Sequence, residues 1–176
     1  MYIKKQKTKN SGFTLIETLV YISVLVIILV FVVNTVSLIT KSYNGLKVSR
    51  SINSSATSIL ERISREIRWS SSIDEGLSVF NTDLGILTLN TLDDDGNIIQ
   101  AKFFIENGDL KIEKPVGIIS PLNIGGAEVQ KMILHKIDTG VSDMVKIELE
   151  LSGEWGDRSK TETFYNSVVL RESYNR

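Results

Sequence analysis

The sequence predicts an α+β protein: one long N-terminal helix, apolar in its first half and amphipathic in its second, laid on an antiparallel β-sheet. Three observations carry that expectation. A run of 21 residues from Phe13 to Val33 holds a single charge, Glu17. An apolar stripe at helical spacing then continues from Ile52 to Ile67. Beyond Trp69 the pattern changes to short alternating runs separated by Gly, Asn and Asp turns. A helix followed by a series of strands builds a segregated α+β layer rather than a parallel sheet.

The apolar run, FTLIETLVYISVLVIILVFVV, is roughly 31 Å of helix at about 1.5 Å per residue, enough to cross a hydrocarbon core. Valine and isoleucine are mediocre helix formers in water. Lipid, however, offers the backbone no other partner, so a helix is the only solution for a single segment. Lys4, Lys5, Lys7 and Lys9 precede the run, and residues 1–12 carry no acid. By the positive-inside rule this predicts a cytoplasmic N-terminus and an extracytoplasmic remainder in a single-pass arrangement. A cleaved secretory signal wants small residues after the run, yet the first alanine is Ala56. An uncleaved signal anchor, carrying an extracytoplasmic binding or enzymatic domain, is the alternative. It fits the run and the lysines but gives no reason for Glu17, an acid one turn into the bilayer where a charge is costly.

Past the bilayer, Ile52, Ala56, Ile59, Leu60, Ile63 and Ile67 recur at spacings of three and four, the stripe of an amphipathic helix. Glu61/Arg65 and Arg62/Glu66 are each four apart on a solvated face. Gly45 and the polar stretch Ser49–Ser58 mark a place for a bend near residues 43–50. Ser70-Ser71-Ser72 stops the helix around Trp69. The expected organisation is a basic leader at 1–12, a membrane helix at 13–39, an amphipathic half at 40–70 and a globular β-rich domain at 71–176.

Strands are expected at Leu77–Phe80 and Gly85–Thr91, then a turn at Asp93–Asn97 and a strand at Ile98–Glu106. Asn107-Gly108-Asp109 is a strong hairpin signal leading into Leu110–Glu113. Pro115 to Gly126 reads as a loop, with two prolines and three glycines. Val129–Ile137 and Met144–Leu151 alternate, with Val145, Ile147, Leu149 and Leu151 on one face. Glu154–Thr161 reads as a polar connection and Phe164–Arg171 as the closing strand.

Composition narrows the function. Of 20 basic residues four lie in 1–12, which leaves 16 against 21 acidic ones beyond Gly12, a formal −5. That balance argues against a nucleic-acid surface. The absence of cysteine removes disulfides, thiolate metal sites, a thiol nucleophile and a lipoprotein anchor together.

The most specific stretch is Ser11-Gly12-Phe13-Thr14-Leu15-Ile16-Glu17, between the lysines and the apolar run. It resembles the processing site of type IV prepilins and type II secretion pseudopilins. The resemblance implies cleavage between Gly12 and Phe13 by a prepilin peptidase and N-methylation of the new terminus at Phe13. It implies a pilin-like fold, with residues 13–39 in lipid first and in a filament core later. Glu17 would meet the N-terminal amine of a neighbouring subunit and set axial register, with Thr14 adding a hydroxyl to the same junction. A glycine without a side chain also lets protease groups approach the backbone. No Gly or Pro lies between Gly12 and Gly45, whereas major pilins often carry such breakers, so the segment is more similar to pseudopilins and minor pilins.

Ile63-Ser64-Arg65-Glu66-Ile67-Arg68, the Asn107-Gly108 hairpin and the terminal Ser167-Val168-Val169-Leu170-Arg171 resemble J-type minor pseudopilins and PilW-like minor pilins. A competence-type pseudopilin is equally compatible beyond residue 40. The resemblance implies other minor and major pilins, an inner-membrane assembly platform and membrane lipid as partners, and a place at or near a filament tip.

No catalytic constellation or cofactor site is expected. Asp93, Asp94, Asp95 and Asn97 offer oxygens that suit Ca²⁺, with Asp93 and Asp95 as the metal candidates, but a hairpin turn wants the same residues. His135, the only histidine, lacks a second ligand and reads as structural. Asp138/Asp143 and Glu148/Glu150 form no obvious dyad. Gly125-Gly126 is too isolated for a phosphate loop. Trp69 and Trp155 are expected at packing seams.

Overall fold

The computed structural model describes residues 12–93, 95–138, 140 and 142–170. The chain divides into two compact units, Met1–Ser42 and Tyr43–Arg176. Helix α1, Leu15–Trp69, contributes to both. Its assignment runs through residues 43–50 without interruption, so Gly45 does not end it. The expected stop at Trp69 holds: Ser70 N–H and Oγ–H both donate to the Ile67 carbonyl and close the last turn.

In the first unit every described residue is exposed except Glu17, which is half-buried. The helix is long and apolar enough to cross a membrane, and its most apolar window buries nothing. Its hydroxyls are satisfied locally. Ser23, Thr35, Ser37 and Thr40 each donate to the carbonyl four residues back, so these four hydroxyl protons are not desolvated alone. An apolar surface this long demands lipid or a partner.

The second unit is helix on sheet. Val48, Ile52, Ala56, Ile59, Ile63 and Ile67 form one buried stripe, as the periodicity predicts, while Leu60 is only partly buried against it. Strands β1 (Ser72–Ile73), β2 (Leu87–Leu92), β3 (Ile98–Glu106), β4 (Asp109–Glu113) and β5 (Ile119–Pro121) form one antiparallel sheet in sequence order. Strands β6 (Ala127–Asp138), β7 (Asp143–Trp155) and β8 (Arg158–Val169) form a second antiparallel sheet. A parallel bridge between Leu84 and Met132 and a bond from Val129 N–H to the Gly108 carbonyl join the two. One core spans helix and both sheets, with Leu87, Leu89, Phe103, Leu110, Met132, Leu134, Ile147 and Leu149 fully buried.

Two features draw helix and sheet together. Gly153 faces the helix so closely that a Cβ there would lie 3.1 Å from Ile52 Cγ1 and 3.4 Å from Val48 Cγ1. At the other end of the stripe, buried Glu66 accepts from Lys114 at 2.7 Å and Arg62 at 3.0 Å, so its charge enters the interior paired.

Several expectations are corrected. Leu77–Phe80 is not a strand. The Asp74 carboxylate takes the Gly76 and Leu77 N–H groups at 3.1 and 3.2 Å and makes a turn, leaving only a bridge from Val79 to Ile86. The loop from Pro115 to Gly126 contains β5, whose Pro121 sits at a sheet edge where a missing N–H is harmless. Glu154–Thr161 is not a connection: β7 and β8 pair as far as Trp155↔Arg158 around Gly156 at φ 63°. That hairpin end is exposed on both faces, so ladder hydrogen bonds and not burial hold it. Alternation along β6 slips at Gln130, where a bulge moves the buried set from Ala127 and Val129 to Met132 and Leu134. Residue 171, the expected end of β8, lies outside the described residues.

Candidate functional site

The site suggested by the N-terminal motif is the start of α1. Gly12, Phe13 and Thr14 precede the helix and are exposed, and among the described residues no atom beyond its chain neighbours lies within 4 Å of where a Gly12 Cβ would stand. The backbone flanking the Gly12–Phe13 bond is therefore open. The lysines at 4–9 lie outside the described residues.

Thr14 is the N-cap. Its carbonyl accepts from Thr18 N–H at 3.2 Å and its Oγ1 accepts from Glu17 N–H at 3.3 Å. The spacing Thr14-x-x-Glu17 is the pattern of a capping box, a structural role that the reading of Thr14 as an assembly hydroxyl missed. Glu17 itself lies in the first turn, where the helix dipole favours an anion. Its carboxylate does not fold back onto the cap. Oε1 accepts from the Tyr21 hydroxyl at 3.1 Å, and the Tyr21 ring stands edge-on to Phe13 at 6.0 Å and 74°. Tyr21 is a residue the sequence reading missed, although its spacing of four from Glu17 was the available signal.

Phe13, Thr14, Glu17 and Tyr21 thus form one cluster at the head of an otherwise apolar helix. The cluster holds a carboxylate with one internal donor and capacity for more, since two oxygens offer about four acceptor positions.

Residues 7–33 match the family model of the prokaryotic N-terminal methylation motif, and the match spans Gly12, Phe13, Thr14, Glu17 and Tyr21. That motif marks type IV pilin-like and pseudopilin proteins, substrates of a prepilin peptidase. The chain carries it on an apolar helix that fits a membrane-anchored pilin, followed by an α+β fold consistent with the pilin-like one. No curated protein and no solved structure matches the chain.

The remaining candidates take structural places. Asp93 Oδ1 accepts from the N–H groups of Asp95 at 3.0 Å and Asn97 at 2.7 Å, and Oδ2 from the Asn97 amide at 3.2 Å. The carboxylate is thus engaged in its own turn, with Gly96 at φ 82°. Among the described residues no group of three or more His, Asp or Glu side chains is placed to hold a metal. His135 Nδ1 meets Asn81 Oδ1 at 2.6 Å and ties a loop to β6. Asp138 takes the Gly140 N–H at 2.7 Å, and Asp143 pairs with Lys136 at 3.4 Å. Trp69, 71% exposed, is not at a packing seam, whereas Trp155, 48% exposed, has Lys47 Nζ over its ring, 3.2 Å from the centroid.

The Asp93 amides have a pH consequence. Hydrogen bonds from Asn97, backbone first and side chain second, lower the Asp93 pKa below its ordinary 3.8. A depressed folded-state value means the contribution is present above the unfolded value and is lost as pH falls through the folded one. Protection of the Asn97 amide from hydrogen exchange should therefore persist down to the ordinary aspartate range and disappear only below it. Asp93→Asn should remove that pH dependence.

Proposed function

We propose that this chain is a minor pseudopilin or pilin-like subunit that acts by assembly and not by catalysis. In this reading prepilin peptidase cuts between Gly12 and Phe13, and Phe13 is N-methylated. The mature subunit then enters a type II secretion pseudopilus or type IV pilus-like filament at or near its tip, with other minor and major subunits and an inner-membrane platform as partners. The observation that carries the reading is the methylation motif matched over residues 7–33, whose glycine stands in open backbone just ahead of a capped helix with an exposed apolar first half. The helix without an internal Gly or Pro up to Gly45 favours a minor subunit over a major one. Lysines on the N-terminal side favour a cytoplasmic leader and an extracytoplasmic folded unit.

Mass spectrometry of the protein from a host with active prepilin peptidase tests this. The expected species begins with methylated Phe13. A chain still beginning at Met1 would refute processing and favour the uncleaved anchor. Crosslinking then separates filament positions: contacts with other minor subunits are expected, and abundant repeating self-contacts would indicate a shaft subunit.

A further inference from the structure

The four sheet edges of the folded unit are unequal. An edge strand presents unpaired N–H and C=O groups, and proteins blunt it by shortness, proline, a bulge, charge or a covering segment. In the first sheet β1 has two residues, and β5 has three, one of them Pro121. In the second, the outer side of β6 is covered: Asn81 and Gly85 N–H groups donate to the Leu134 and Met132 carbonyls, Met132 N–H to Asp83, and Val129 N–H to Gly108. Strand β8 has none of these. It pairs with β7 through all 12 residues without a register shift, and no strand among the described residues meets its other side. Residues 158–169 include no glycine or proline, and residues 163–169 no charge. Leu170 N–H donates to the Asp143 carbonyl at 3.0 Å, which fixes the alternation. Backbone groups of Phe164, Asn166 and Val168 therefore turn to β7, and those of Thr163, Tyr165 and Ser167 turn to the free edge. Ser167 N–H accordingly donates to a side chain, Asn166 Oδ1, at 2.9 Å, which leaves Thr163 and Tyr165 as open rungs.

The helix runs beside this edge. Lys160 Nζ donates to Ser49 Oγ at 3.1 Å, and Asn166 Nδ2 to Ser64 Oγ at 2.8 Å. The helical interval is roughly 22 Å and the strand interval roughly 20 Å, so the two elements keep step in one direction. Between them lies an open groove of about 640 Å³, with Leu60, Arg65, Arg68 and Trp69 on the helix side and Tyr165 and Asn166 on the strand side. Leu60 is half-buried against the core and Trp69 is exposed, so both offer apolar surface. Arg65 and Arg68 are exposed and take part in no ion pair among the described residues, while Glu61 is the one acid on that wall. The groove thus has a backbone edge on one side and a surplus of cation on the other. A strand at the usual spacing of about 4.8 Å from β8 would set every second side chain against the helix. Charge decides its identity, because a second copy of residues 163–169 brings no carboxylate to the two guanidiniums.

We propose that the β8 edge is completed by an extended, acidic segment of another polypeptide. The segment pairs main chain to main chain along residues 161–167, holds a carboxylate at Arg65 and Arg68, and lays an apolar side chain against Leu60 and Trp69. Main-chain bonds supply affinity in this mode and the alternate side chains supply specificity.

The probe is a fluorescein-labelled peptide of alternating valine and threonine that ends in two glutamates, added to the full chain in detergent micelles. Fluorescence anisotropy reports binding, and hydrogen exchange reports the Thr163 and Tyr165 amides. Binding is expected to slow exchange at both amides. Arg65→Gln and Arg68→Gln should each weaken it by about two- to fivefold, and a peptide ending in two lysines should bind less tightly than the glutamate form. Thr163→Pro removes an outward N–H without touching the β7 ladder and should also weaken binding. A peptide with every backbone amide N-methylated should not bind, a control that leaves the protein unaltered. Absence of binding, or binding that leaves both amides unprotected, would overturn the proposal. So would equal affinity for the glutamate and lysine peptides. Protection of the same amides by self-association, without peptide, would give the edge to a second copy and overturn the acidic partner. None of these results bears on cleavage at Gly12, so failure here is separable from failure of the pilin reading.

Discussion

Glu17→Ala is expected to abolish incorporation into filaments while membrane insertion and cleavage between Gly12 and Phe13 proceed. The carboxylate is the only charge between Phe13 and Val33, and its one side-chain partner among the described residues is the Tyr21 hydroxyl at 3.1 Å. A neutral donor is a weak match for an anion in an apolar bundle. An amine from a neighbouring subunit is a strong one, and leaving either member of such a pair alone costs about 3–5 kcal/mol, a loss of a hundredfold or more. Tyr21→Phe separates the two roles. Losing one hydrogen bond costs about 0.5–1.5 kcal/mol, so incorporation should be only modestly reduced. The readout is the share of processed protein recovered in the sheared filament fraction. Normal incorporation of Glu17→Ala, or equal loss in both variants, would refute pairing between subunits.

Ile59→Asp is expected to unfold the second unit without touching processing. Ile59 is fully buried at the centre of the helical stripe, where an aspartate would bring a charge into the apolar core. The milder Ile59→Ala should cost about 2–5 kcal/mol against a typical total of about 5–15, so that variant stays folded with a lowered melting temperature. Thermal melting and limited proteolysis report the fold, and the mature N-terminus reports cleavage. A native melt for Ile59→Asp would contradict the placement of this helix face. Processed but unincorporated protein is the expected phenotype, because the motif at residues 7–33 and the core at Val48–Leu170 are separate stretches of chain.

Much of this was legible in the residues because it depended on short periods. The helical stripe, the alternation of Val145, Ile147, Leu149 and Leu151, and the Asn107-Gly108 turn each follow from neighbours within a few positions. Where the expectation failed, a distant partner or a local side-chain bond had intervened. Asp74 diverted Leu77–Phe80 into a turn, and β4 recruited Ile119–Pro121 from what reads as loop. The hairpin at Gly156 was misread because polarity was taken for lack of structure, whereas antiparallel pairing needs only backbone.

The candidate site divided in the same way. Gly12, Phe13 and Glu17 stand out from the sequence because a charge in an apolar run is costly and a glycine ahead of it is conspicuous. Tyr21 did not, since a tyrosine in an apolar helix needs no explanation until its hydroxyl is found on Glu17. The contact of Lys47 with Trp155 was invisible, because more than a hundred residues separate the two.

By itself, then, the sequence determined the long apolar run, its single charge and the order of helix and sheet, all of which rest on local period and local cost. Tertiary structure alone decided where the sheets meet, how closely Gly153 lets the helix approach, and which exposed cation lies over Trp155. Those outcomes depend on close packing between segments remote in the chain, and no local pattern encodes them.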